Sequence, residues 1–271
     1  MGQGMVNCLL ERGFTVQVWN RHPDATQPLV DRGATKADSV AELVQYCDVV
    51  LTMIRDDAAV RSVLLGDEGA FSHATPGKTF IDTSTVTPDM ARELADTAAK
   101  KGLYYLESPV AGSKEAAATR QLTLLVGGPA DVLEQQRDVL EAIGSRIVHV
   151  GDYGTASTMK LAVNQAMGVA AVAVREALAL TATVGIDRQL AVDLVMGGIT
   201  RMATGKTDAI KTQNWEPQFM LSLMHKDLIQ ALETAQKEHV HMPLLTAVQQ
   251  VYKQAEDAGK GRLDFSVITG E

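Results

Sequence analysis

Strand-like and helix-like segments alternate through the first half of the chain, and then the strands stop. TVQVW (15–19), DVVLTMI (48–54), KTFID (78–82), YYLES (104–108), LTLLV (122–126) and RIVHV (146–150) carry the apolar, β-branched pattern of strands. Between them lie helical patterns: residues 3–12 closed by Gly13, 39–46 capped by Ser39, 57–65, a helix opened by Thr87-Pro88 and running to about 101, and 130–142. This order predicts βαβ units and a mostly parallel sheet covered on both faces. After residue 151 only helices are expected, at about 156–184, 188–197, 202–212, 217–238 and 243–258. The reading is an α/β N-terminal domain over 1–152 and an all-α C-terminal domain over 153–271.

With 271 residues, 46% of them hydrophobic, two cores are affordable. The net charge of −8 and the lack of a Lys/Arg block argue against a nucleic-acid partner. Cys8 and Cys47 sit in apolar patterns and read as free thiols of a reducing compartment. The first residues lack a basic, then apolar, leader pattern. The apolar run 161–174 contains Asn164 and Gln165 and stops at Arg175-Glu176, too short and polar to span a bilayer. A cytoplasmic enzyme without a membrane partner is the expectation. The small residues of AMGVAAVAV (166–174) allow close helix approach and predict a homodimer or homotetramer.

A doubly wound sheet binds ligands beyond the carboxyl ends of its strands. The usual phosphate turn is a strand, then G-x-G-x-x-G opening a helix. Here Met1-Gly2-Gln3-Gly4-Met5 leads straight into the first helix, so Gly2 takes the place of the third glycine. In one reading the first strand and first two glycines lie upstream of Met1; in the other the chain begins with the helix. TVQVW is followed by Asn20-Arg21-His22, where an NAD site would carry an acidic residue for the ribose hydroxyls. A guanidinium at Arg21 suits a 2′-phosphate, so NADP(H) is expected over NAD(H). His239 and His241 have no further ligand at metal spacing, and Ser84, Ser108 and Ser113 lack a nucleophile-elbow context.

Four segments carry a specific resemblance, DTSTVTP (82–88), ESPVAGSK (107–114), GDYGTASTMKLAVNQ (151–165) and FMLSLMHKD (219–227), and the closing LDFS (263–266) bears on the branch. In this order, from Gly2 to about Ser266, the chain resembles the β-hydroxyacid dehydrogenase family, and most of all its glyoxylate/succinic semialdehyde reductases. The resemblance implies a Rossmann-type N-terminal domain, here short of its first strand, and an NADP(H)-dependent oxidoreductase acting on a small aldehyde acid or its hydroxy acid. It implies Lys160 as the catalytic residue. Gly112, Ser113, Asn164, Phe219 and Asp227 are the implied substrate-binding residues. Gly2, Asn20, Arg21, Met53, Ile54, Thr85 and Lys226 are the implied cofactor contacts, with no metal. Other members of the family, acting on 3-hydroxyisobutyrate or tartronate semialdehyde, remain alternatives. So do a related imine reductase, which usually lacks a lysine at this position, and a non-catalytic NADP-binding protein. Arg55 and Ala111 depart from the proline and serine that the family usually carries.

The residue types suit the chemistry. Reducing a carbonyl delivers a hydride to carbon and a proton to oxygen. A lysine ammonium can give that proton and stabilise the developing alkoxide. Lys160 and Asn164 are four apart and share one helix face. Backbone N–H groups about Gly112-Ser113 can take a substrate carboxylate, because glycine permits close approach.

Overall fold

The computed structural model describes residues 1–270. The chain separates into two compact units, Met1–Asn164 and Gln165–Glu271. The first begins with α1 (Gly2–Glu11), β1 (Gln17–Val18), α2 (Gln27–Val30), β2 (Thr35–Lys36) and α3 (Val40–Tyr46). It continues with β3 (Val49–Thr52), α4 (Asp57–Leu64), α5 (Ala70–His73), β4 (Thr79–Asp82), α6 (Pro88–Lys100), β5 (Tyr104–Glu107) and β6 (Val110–Ala111). Next come α7 (Lys114–Ala118), β7 (Leu122–Gly127), α8 (Ala130–Gln135), α9 (Arg137–Ile143) and β8 (Gly144–Gly151). The long α10 (Thr155–Thr183) leads into the second unit, which holds α11 (Arg188–Gly205), α12 (Thr207–Thr212), α13 (Leu221–Lys237) and α14 (Pro243–Ala255). This is a Rossmann-like α/β domain followed by a helical domain.

Six strands form the main sheet. β3, β4 and β5 pair in parallel, β7 runs antiparallel to β5 and β6, and β8 pairs parallel to β7. Successive residues point to opposite faces. Phe80 and Tyr105 pack with Leu94, Phe71 and Val60 of α6, α5 and α4 on one side. Ile81 and Leu106 pack with Met5, Leu133 and Leu140 of α1, α8 and α9 on the other. Both faces are thus covered by helices, as the near-continuous apolar runs require. β1 and β2 form a separate two-stranded parallel sheet, and among the described residues no strand joins it to β3. α1 lies close on α7: a Cβ at Gly4 would come within 2.8 Å of the Ala117 carbonyl carbon.

Local capping follows the sequence. Ser39 Oγ accepts from the Glu42 amide, and Thr87 Oγ1 from that of Met90 at the start of the Pro88 helix. Several expectations are corrected. The strand expected over 15–19 pairs only at Gln17 and Val18, because its partner β2 is just as short. The helix expected over 130–142 breaks at Gln136, whose φ of −103° and ψ of 10° interrupt it. Gly197-Gly198 do not end α11, which continues to Gly205. The helix expected from 217 starts at Leu221, because the buried carboxylate of Asp264 holds the Gln218 and Phe219 amides outside it. α10 runs 29 residues, and by length and composition alone it reaches the range of a membrane-crossing helix. Its Glu176, however, is 3% exposed and accepts from the amides of Leu244 and Leu245 (both 2.9 Å), capping α14. That carboxylate ties α10 into the second unit's own fold.

Candidate active site

The carboxyl ends of β3 and β4 are locked together by side chains. Thr52 Oγ1 donates to Asp82 Oδ1 (2.7 Å), and the Ser84 amide donates to the same oxygen (3.0 Å). The Ile54 amide donates to Ser84 Oγ (2.8 Å), and Thr83 Oγ1 donates to the Thr52 carbonyl. Asp82 is buried, which pushes its carboxyl above the usual range against the bonds from Ser84 and Thr52 that hold it down. The result is a fixed ledge presenting Met53, Ile54 and Thr85, all half-buried. Gly2 opens α1 beside it: a Cβ there would lie 3.8 Å from Met53 Cβ. No side chain caps the start of α1, so its first N–H groups keep their capacity for an anion.

At the end of β1, Asn20 Oδ1 accepts from the His22 amide (2.9 Å) and shapes a turn. Arg21 in that turn is exposed and makes no ion pair among the described residues. The start of α1, the adjacent ledge and the turn at Asn20-Arg21 offer positions for a dinucleotide. Gly2, Met53, Ile54, Thr85, Asn20 and Arg21 are the residues that would hold it.

Gly112 follows β6 with φ +143°, and a Cβ there would meet Leu122 Cδ2 at 2.9 Å and Ala116 Cβ at 3.0 Å. Only glycine fits that position. Ser113 Oγ accepts from the Ala116 amide (3.2 Å), so its hydroxyl caps α7 and leaves the segment's outward face to backbone groups. Lys160 is half-buried on the second turn of α10, and its Nζ donates to Asn164 Oδ1 (3.0 Å). Burial lowers the ammonium's pKa below the ordinary lysine value. The pair is as the four-residue spacing predicts, an acid beside a hydrogen-bonding amide. Among the described residues no hydrogen bond joins Gly112 or Ser113 to Lys160 or Asn164.

Phe219, Lys226 and Asp227 belong to the second unit. Phe219 is half-buried, edge-on to Phe265 (centroids 6.1 Å apart). Its amide donates to Asp264 Oδ2 (3.2 Å), and Lys206 Nζ donates to that oxygen too (2.8 Å). Burial would raise the Asp264 carboxyl, but Lys206, Ser266 and Phe219 together hold it well below the usual range. Lys226 and Asp227 form an exposed ion pair with each other (2.7 Å). Sequence reasoning missed the buried carboxylates Asp82, Glu107, Glu176 and Asp264. Asp82 and Glu107 lie inside segments that carry the resemblance, but local spacing shows neither their burial nor their distant partners.

Comparison with known proteins fits this arrangement. Residues 1–151 match the family model of the NAD binding domain of 6-phosphogluconate dehydrogenase. Residues 154–270 match that described as NAD-binding of NADP-dependent 3-hydroxyisobutyrate dehydrogenase. The chain is 33% identical to glyoxylate/succinic semialdehyde reductase 1 of Arabidopsis thaliana over 99% of its length and 93% of the relative's. It is 34% identical to 3-hydroxyisobutyrate dehydrogenase of Pseudomonas aeruginosa over 99% and 94%. An imine reductase from Myxococcus stipitatus solved with NADP+ superposes with a TM-score of 0.91 at 24% identity, covering 99% of this chain and 95% of that one. At that identity the last match speaks for the fold. The chain is therefore a nicotinamide-dependent oxidoreductase and belongs to the β-hydroxyacid dehydrogenase family.

Proposed function

We propose that the protein reduces a small aldehyde acid, of the glyoxylate or succinic semialdehyde type, to its hydroxy acid with NADPH, and that Lys160 is the proton donor. The observation that carries this reading is the half-buried Lys160 ammonium held to Asn164 Oδ1 at 3.0 Å, in a chain of this family. NADPH, when bound, supplies the hydride. Its diphosphate suits the uncapped start of α1 at Gly2, and its 2′-phosphate suits Arg21, with Asn20 shaping the turn. Met53, Ile54 and Thr85 would line the nicotinamide side.

The substrate carboxylate suits backbone N–H groups at Gly112-Ser113. Asn164 orients the carbonyl, and the Lys160 ammonium stabilises the developing negative charge on its oxygen and hands over the proton. In the reverse direction the neutral amine takes the hydroxyl proton. The names of the relatives support a small oxo or hydroxy acid as substrate. Free thiols at Cys8 and Cys47 suit a reducing cytoplasm. The exposed Met159, Met167, Val169 and Val172 of α10 support assembly into a homodimer or homotetramer.

The test is an NADPH titration beside turnover of glyoxylate and succinic semialdehyde, for the native protein and Lys160→Ala. Turnover should fall by about 10²- to 10⁴-fold, the range for losing a positioned acid, with NADPH affinity kept. Near-native turnover in the variant would overturn the mechanism.

A further inference from the structure

Glu107 is the last residue of β5, the strand between β4 and β7, and its side chain is 1% exposed. No cation pairs with it among the described residues. All its partners lie at the start of α10, about fifty residues on in sequence. Oε1 accepts from the amides of Gly154 (2.5 Å) and Ala156 (3.2 Å). Oε2 accepts from the Ser157 amide (3.1 Å) and from the Ser157 hydroxyl. A helix start leaves such N–H groups without partners, and the residue before this helix, Gly154 at φ +90°, has no side chain to cap them. Glu107 caps them from across the sheet, with its charge against the positive end of a 29-residue helix.

The surroundings make room for this carboxylate. Gly127, its sheet partner, lies so close that any Cβ there would land on Glu107 Oε1. Tyr153 OH donates to the Tyr105 carbonyl (3.0 Å), and the Gly128 amide to the Gly151 carbonyl (2.9 Å), fixing the turn that leads into α10. Ser157 is one helical turn before Lys160. Glu107 also opens the segment that continues to Gly112 and Ser113.

We infer that Glu107 is a positioning residue for catalysis: it holds the Lys160 helix in register with the sheet end that begins the Gly112-Ser113 segment. This rests on the reading of Lys160 as proton donor. In Glu107→Gln the amide nitrogen would face backbone donors it cannot accept from, and the helix start would lose its anchor. Ser157→Ala removes one of the four bonds and leaves the fold's contacts otherwise in place.

Turnover would be measured per titrated NADPH-binding site, in light and heavy water. Expected are losses on the order of 10- to 100-fold for Glu107→Gln, the scale of a small misplacement of a catalytic group, and about two- to tenfold for Ser157→Ala, the scale of one hydrogen bond. Both variants should show a larger solvent isotope effect, because proton transfer slows, while NADPH affinity stays within about twofold. Native per-site turnover and isotope effect in Ser157→Ala would overturn the inference even if Glu107→Gln did not fold. So would an affinity loss that accounts for the whole drop. Lys160→Ala, run alongside, separates the two claims: if it stays active the proton-donor reading fails, and if it is dead while the Glu107 and Ser157 variants are native, only this inference fails.

Discussion

Lys160 and Arg21 are both cations, and their surroundings give them different work. The Lys160 ammonium loses water on entering the flank of α10 and keeps one side-chain partner, Asn164. Its proton is therefore easier to give up than an ordinary lysine's. Arg21 stays in solvent with no carboxylate beside it, a cation without a partner in its own chain. If it meets the 2′-phosphate, Arg21→Asp should weaken NADPH binding on the order of tenfold or more, the worth of a charge-assisted hydrogen bond, and improve NADH binding. Fluorescence titration with each cofactor reads this, and unchanged NADPH affinity would remove Arg21 from the site. Lys160, Asn164 and Gly112 were legible in the sequence because each sits in an intact local motif. Glu107 was not: its partners are some fifty residues away, and nothing in its local spacing says that a strand end will cap a distant helix.

Among the elements, the long ones were readable and the short ones were not. A 13-residue helix such as α6 carries several turns of apolar spacing and a proline at its start. β2 and β6 carry two residues each, too few to show any period, and exist only because a neighbouring strand pairs with them. α10 differs from both. Its length was evident, yet the exposure of Met167 (66%), Val169 (44%) and Val172 (37%) emerges only from the structure. Apolar side chains exposed on more than one face of a helix mark a contact surface. The native chain should sediment as a multiple of its 29.0 kDa mass, and Met167→Glu with Val172→Glu should shift it toward a single chain. A native protein that is monomeric at micromolar concentration would contradict this.

On the scale of the whole molecule, the chain passes from alternating elements to helices alone, and the first compact unit runs on to Asn164, taking in the start of α10 that a boundary at 152 leaves to the second. The α/β part gathers the strand ends, the glycine at the start of α1 and the lysine helix. Within the helical part, Phe219 lies on a loop that the buried Lys206–Asp264 pair pins down. What composition and spacing could not supply was the set of buried carboxylates, Asp82, Glu107, Glu176 and Asp264, that fasten one element to another. Each takes at least one hydrogen bond from a donor thirty or more residues away, which local spacing cannot foresee.

The central claim is that the Lys160 ammonium delivers the proton, and the pH dependence of reduction tests it most directly. Reduction needs the protonated form, so kcat/KM for the aldehyde acid should be level at low pH and fall as pH rises through the lysine's pKa. Burial places that fall below the ordinary lysine value of about 10.4. Oxidation of the hydroxy acid needs the neutral amine and should rise over the same window. In Lys160→Ala the residual rate should lose this limb. A native profile for reduction that rises with pH, or a limb that persists unchanged in Lys160→Ala, would contradict the account.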